Sequence, residues 1–381
     1  VVAVTQTFCR HNRFVQRCPI CRETVPGYTP PQAPAKPKQP GARPRQASAA
    51  GAGNGSAPAG TVVRAGAGRA HSRAAELHVR RERRFVDDGY RSDLLPGLRS
   101  SHDAQRLVEE IGFASGRLLA LTAAPPGLYA EARDCEDIEQ ATWMCFLAVY
   151  LSPQQGEQPF SGVRQALLCK WSSGGVPDLE DVPLGPRTSH DPGRGSQTLL
   201  AYRRFAEHAG SQERAFAGEP EWTPQRRFER VFERLSLPGF GRMGRYDLLL
   251  TLGRLGMYEL RADSLHLAVR PGSRPTAGPG IPAAGEDPTL AAAKRVFGIG
   301  DPVHIERRAS QFAEAIATPI EALDLALYNW GGPPSYPPAS PAHARGSPAV
   351  SPPEQERVTL GFPLKTSDAH AIERARCALD L

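Results

Sequence analysis

The chain predicts a mostly α-helical protein, and three observations carry that expectation. Apolar residues recur at three- and four-residue spacing, as in Ala309, Phe312, Ala313 and Ile316. A capping residue stands before proline at Thr223-Pro224, Asp287-Pro288 and Asp301-Pro302, the chemistry of a helix start. Strand-like alternation is scarce, confined to stretches such as residues 265–269.

Composition divides the 381 residues into five zones. Residues 7–22 form a Cys/His cluster, and residues 23–70 are a linker rich in Pro, Ala, Gly and Arg. With so few large apolar residues, that linker buries too little surface to offset chain entropy, so disorder is expected there. Residues 71–330 hold nearly all of the periodic apolar pattern. Residues 331–356 repeat the linker composition, and 357–381 form a tail with a possible strand at 357–362 and a helix from about Ser367. Net charge is +6 and the isoelectric point is near 9.0, which permits a polyanionic partner without requiring one. Seven cysteines, an odd number, do not make a disulfide framework. Cys135, Cys145 and Cys169 lie in or near apolar helical stretches, as small buried hydrophobes do. Val1-Val2-Ala3-Val4 lacks the basic start and long apolar run of a signal peptide, and no apolar run reaches membrane-spanning length. The expectation is a soluble protein of the reducing cytoplasm, without a membrane partner. The chain starts at Val1 rather than Met, as a fragment or a displaced start would.

Within the core, Asp134 or Asp137 can cap a helix running to Leu151. Beyond Ala141 this helix is apolar on every side (Trp143, Met144, Phe146, Leu147, Val149, Leu151), so it belongs at the centre of a globule. Thr318-Pro319-Ile320-Glu321 reads as a capping box for a later helix. Trp143, Trp171 and Trp330 have the spacing of core residues, with stacking on an extruded base as the functional alternative.

Between helices expected at about 224–235 and 246–253 lies Leu237-Pro238-Gly239-Phe240-Gly241-Arg242-Met243-Gly244-Arg245. Hydrophobic-Pro-Gly-hydrophobic-Gly between helices is the hairpin of the helix-hairpin-helix motif. Gly239 and Gly241 free the backbone to turn and let a phosphate approach bare N–H groups. The following helix offers its amides and positive dipole end to the same anion, and Arg242 and Arg245 add charge. The plainer alternative is a helix-loop-helix turn with a glycine end. Phe297-Gly298-Ile299-Gly300-Asp301 is a weaker copy, read as structural because an acid follows where a base would help. A second polar group is Arg187-Thr188-Ser189-His190-Asp191, ahead of a glycine turn that opens a helix. Arg187, His190 and a helix N-terminus together can hold a pyrophosphate, with His190 moving a proton and Asp191 a further catalytic candidate in the same pocket. The alternative is an Asx turn needing only Asp191, Pro192 and Ser196.

With that hairpin, residues 146–155 (FLAVYLSPQQ) look like the early core helix of the helix-hairpin-helix DNA glycosylases. The chain also resembles the α-glutamyl/putrescinyl thymine pyrophosphorylase family, its third clade in particular. Residues 141–153 (ATWMCFLAVYLSP), 184–194 (LGPRTSHDPGR), 200–206 (LAYRRFA), 237–260, 293–301 (AKRVFGIGD) and 322–330 (ALDLALYNW) carry that likeness. It implies a glycosylase-like helical domain and a DNA partner, hence a nucleoid location. The implied activity is transfer of an amine to an activated 5-substituted thymine as pyrophosphate leaves. It also implies a catalytic Asp downstream of the hairpin helix, for which Asp263 is nearest, with a solvent-facing turn as the alternative. Met243 stands where bifunctional glycosylases carry lysine, and no four-Cys iron–sulfur signature follows the core. The rival readings are a non-catalytic DNA-binding module, a base-excision glycosylase-like protein and a zinc-dependent interaction protein.

The N-terminal cluster sets Cys9, His11, Cys18 and Cys21 within thirteen residues. Three thiolates and an imidazole match a tetrahedral structural Zn²⁺ site, with Cys18 and Cys21 on one tight turn. A segment this short has no core, so the metal would be its main source of order. A redox Cys-x-x-Cys is the rival, but no βαβ pattern surrounds it. Elemental analysis of the gently purified protein is expected to find one zinc per chain, lost on Cys18→Ser. A metal-free wild type would end the zinc assignment.

Overall fold

The computed structural model describes residues 87–268, 287–332 and 357–381, all within one compact unit spanning 79–381. The zinc ligands proposed at Cys9, His11, Cys18 and Cys21, and nearly all of both linkers, lie outside the described residues. The described chain is mostly helical and contains no β-strand. Twelve α-helices occur in order: α1 (Ser101–Ala123), α2 (Leu128–Arg133), α3 (Ile138–Leu151), α4 (Ser161–Ala166), α5 (Gly195–Ala209), α6 (Gln212–Ala217), α7 (Pro224–Arg234), α8 (Arg242–Arg254), α9 (Pro288–Phe297), α10 (Pro302–Ala315), α11 (Ile320–Gly331) and α12 (Ala369–Leu379). A 3-10 turn, Trp171–Ser173, lies between α4 and α5.

Most helices begin where their side chains can close the first turn. Asp137 accepts from the N–H groups of Glu139 and Gln140 at the start of α3. Thr223, Asp287 and Asp301 do the same for α7, α9 and α10, each followed by proline at the first helical position. From Ala141 to Leu151 every residue of α3 is buried, so this helix forms the centre of the globule. It packs against α2, α4, α6 and α8, while α1 packs on α11 and α12, and α11 on α9. Trp143 and Trp330 are core residues rather than stacking platforms: their indole N–H groups donate to the carbonyls of Cys169 and Asp103. Among the described residues, no helix is long and apolar enough to cross a membrane.

Three local expectations are corrected. Thr318 does not cap α11: its hydroxyl turns back to the Ile316 carbonyl, Pro319 is the N-cap, and Glu321 pairs with Arg254 at 2.8 Å. Neither alternating stretch is a strand. Val358, Leu360 and Phe362 all point inward, but the backbone partner of Val358 is the Asn329 side-chain amide, which both donates to it and accepts from it. Leu265 and Leu267 are likewise buried, and their N–H groups both donate to the Glu306 carboxylate. In both segments the apolar residues of the alternation are buried, while side chains replace the neighbouring strand.

The C-terminal segment is part of the core. Phe362 stacks on Tyr129 with Arg117 over its ring, and Arg357 is held by Glu110 on α1. Backbone at Ser367 passes so close to Gly116 of α1 that a Cβ there would lie 2.7 Å from it. Phe362→Ala is therefore expected to cost about 3–5 kcal/mol, read as a lower urea midpoint at unchanged slope. An unaltered midpoint would mean the segment is not part of the folded unit.

Candidate functional site

The bend between α7 and α8 lies at the surface. Helix α7 closes with Leu235 N–H on the Val231 carbonyl, and Phe240 N–H then returns to the Leu237 carbonyl at 3.1 Å. Gly239 has φ +74°, a left-handed conformation that disfavours any side chain. Phe240 is 2 % exposed and inserts beside Phe146 and Tyr150 of α3, which pins the bend to the core. Pro238 and Gly241 remain exposed.

Helix α8 begins at this glycine without a cap. Gly241 has no side chain to close the turn, and the first in-helix bond is Arg245 N–H to the Gly241 carbonyl. Among the described residues, no group accepts from the N–H of Gly241, Arg242, Met243 or Gly244. The start of α5 shares this character: its N-cap is Arg194, with no side-chain bond to the first turn. The bend rests on that first turn of α5, where Thr198 Oγ1 donates to the Pro238 carbonyl at 2.6 Å. By contrast, the weaker copy at residues 297–301 is closed by Asp301, which accepts from Val303 and His304 N–H.

Between these two helix starts lies His190. Its ring packs so closely on Gly195 that a Cβ there would lie 2.3 Å from Cε1. Its Nδ1 is 3.0 Å from the Tyr150 hydroxyl, while among the described residues Nε2 has no hydrogen-bond partner. The neighbouring Ser189 backs onto Gly244, whose missing Cβ would sit 2.5 Å from Oγ. Burial lowers the His190 pKa and outweighs the opposing charge of Asp191. Burial also pushes the Tyr150 phenol up to about 12, so near neutral pH both groups are uncharged hydrogen-bonding partners.

Arg187 and Arg242, two of the cations expected to meet phosphate, are turned inward instead. Arg187 donates from Nε to Asp247 at 2.7 Å and from Nη2 to Asp324, and it stacks on Tyr328. Arg242 donates from Nε to Asp287 at 2.7 Å, and its Nη1 lies 2.8 Å from Asp324. The result is a chain of charges, Asp247–Arg187–Asp324–Arg242–Asp287, joining the segment before α5 to α8, α9 and α11. Burial opposes the charge on both guanidiniums, yet the aspartates outweigh it and raise both pKa values.

Two cations remain at the bend. Arg245 stacks on Phe232 and donates to the carbonyls of Phe232 and Gly241, with no carboxylate partner among the described residues. Burial and then the charge of Arg242 lower its pKa to about 10. Among the described residues, the acid that Arg194 reaches is Asp191, at 3.9 Å. The other expected residues stand apart. Asp191 is exposed and forms the Asx turn, accepting from Gly193 N–H. Asp263 is exposed and has no hydrogen-bond or ion-pair partner among the described residues, the surroundings of a solvent-facing turn. Among the described residues, no group of three or more acidic, Cys or His side chains is arranged to hold a metal. No protein-family model, curated protein or solved structure matches the chain.

Two measurements follow. Arg187→Met leaves Asp247 and Asp324 buried without this cation and is expected to cost about 3–5 kcal/mol in denaturant unfolding; a loss under 1 kcal/mol would contradict the pairing. The His190 pKa is depressed on folding, so the unfolded chain binds the extra proton first. Stability is therefore expected to fall as pH drops through the ordinary value of 6.5 towards the lowered one, and His190→Gln should remove that slope. An unchanged slope in the variant would assign it to another group.

Proposed function

We propose that this protein binds the phosphate backbone of DNA at the 237–241 bend, with the helical domain built on the helix-hairpin-helix plan of the DNA glycosylases. The observation that carries this reading is the open first turn of α8. Four amides without an acceptor among the described residues sit at the positive end of a thirteen-residue helix that opens with an exposed glycine. Backbone N–H groups and the helix dipole together suit an anion. Arg245, which has no carboxylate partner among the described residues, and Arg194, whose Nε lies 3.9 Å from Asp191, suit the same charge. Contacts of this kind hold a duplex in register without reading its sequence.

A second reading is catalytic: a base-modifying transferase like the thymine pyrophosphorylases that the sequence resembles. His190 favours it, because a neutral imidazole whose Nε2 has no partner among the described residues stands beside the two helix starts and is oriented by Tyr150. In that role His190 replaces Asp263 as the acid–base candidate. The structural zinc at Cys9, His11, Cys18 and Cys21 belongs to the proposal on ligand chemistry and spacing alone.

Gly241→Asp separates folding from binding. A Cβ at Gly241 meets nothing within 4 Å, and its backbone is already in the extended region usual for a helix cap. The new carboxylate would occupy the open amides itself, leaving thermal stability equal or higher. Affinity for duplex DNA, measured against salt, is expected to fall about tenfold or more, with a shallower salt slope. Unchanged affinity and slope in a well-folded variant would overturn the reading.

A further inference from the structure

Helix α5 opens beside the bend, and its first turn is left as open as that of α8. Among the described residues, no group accepts from the N–H of Gly195, Ser196 or Gln197, so this fifteen-residue helix presents three amides at its positive end. Ser196 and Gln197 are exposed. The two helix starts adjoin: a Cβ on Gly239 would lie 2.8 Å from Thr198 Oγ1 and 3.8 Å from Arg194 Cβ. Gly241, the N-cap of α8, follows two residues after Gly239, within about 7 Å of extended chain. A buried side chain is aimed at the α5 opening. His190 is 8 % exposed, and its Nε2 would stand 3.4 Å from a Cβ on Gly195, the first residue of α5. Nε2 is not sealed in: it reaches solvent, and among the described residues it has no hydrogen-bond partner. The ring is held by Nδ1 at 3.0 Å from the Tyr150 hydroxyl, with the two rings edge to face. The adjacent Asp191 is engaged by Gly193 N–H and lies 3.9 Å from Arg194.

We propose that the start of α5 is a second phosphate subsite. Here His190 Nε2–H and the amides of Gly195, Ser196 and Gln197 hold the phosphate next along the DNA strand from the one at α8. The proposal rests on the phosphate-binding reading of the bend and extends it from one phosphate to two. A Tyr150 hydroxyl that donates to Nδ1 leaves the ring proton on Nε2, so the neutral imidazole faces the anion as a donor. Arg194, at the join between the two openings, is the cation common to both. A free phosphate needs only one such opening. Two that adjoin fit consecutive phosphates of a single strand, and contacts of this kind set the register of the duplex without reading its bases.

The test measures duplex affinity at one salt concentration for the full chain and three variants. Gln197→Glu puts a carboxylate on the exposed first turn of α5, where it favours the helix but repels phosphate. Affinity is expected to fall about threefold or more while thermal stability holds. His190→Phe keeps a ring on Gly195 and removes the Nε2 donor, for an expected loss of about tenfold. In the wild type, the His190 Nε2 resonance should shift saturably as duplex is added, which a purely structural histidine would not show. Undiminished affinity in both variants, with Gly241→Asp alone weakening binding, overturns the second subsite and leaves the reading of the bend intact. Weakening by Gln197→Glu beside an unaffected Gly241→Asp keeps the α5 subsite and overturns the bend. A wild type that binds no duplex overturns both. If His190→Phe fails to fold, Gln197→Glu decides alone.

Discussion

Asp324 is the point on which the arrangement around the bend depends. One carboxylate on α11 receives both Arg187, from the segment before α5, and Arg242, the first residue of α8. Asp247 and Asp287 complete the chain at its two ends. Removing one charge from a buried chain leaves its partner unpaired in a medium of low dielectric, which costs more than the pair contributes. The chain therefore acts chiefly as a constraint on where its members can sit. It fixes the start of α8 relative to the strip containing His190, and Asp287 simultaneously caps α9.

That constraint explains how the bend can be open. The Arg242 side chain is committed inward, Phe240 is anchored beside α3, and Gly241 carries no side chain to fold over the amides. A basic residue is thus used to hold the helix, while the backbone is left to meet a ligand. The closed bend at residues 297–301 shows the alternative, since there Asp301 satisfies the first turn from within. The same distinction separates α5, whose uncapped start adjoins His190, from α7, capped by Thr223.

Much of this was legible in the sequence where the cause is local. The caps at Asp137, Thr223, Asp287 and Asp301 depend on neighbours within a few residues, and the buried run of α3 depends only on its own composition. What failed depends on distant partners. A basic residue after a glycine hairpin suggests phosphate, and nothing near Arg242 announces that Asp287 and Asp324 will claim it. The available hint was a lone acid inside an apolar run, as in Tyr246-Asp247-Leu248 and Leu323-Asp324-Leu325. Such an acid, if buried, needs a cation. The alternating segments at 265–268 and 357–362 misled for a related reason, because Glu306 and Asn329 supply by side chain what a strand would supply by backbone. His190 was legible as polar chemistry near a helix start, whereas its partner Tyr150 sits in a helix whose pattern signals only burial.

The most direct test of the open helix start is to follow the backbone amide resonances of Gly241, Arg242, Met243 and Gly244 by NMR while a short DNA duplex is added. Saturable downfield proton shifts concentrated at these amides, and weaker ones at the start of α5, are the result this account predicts. Binding that leaves these four resonances in place while shifting others would contradict it.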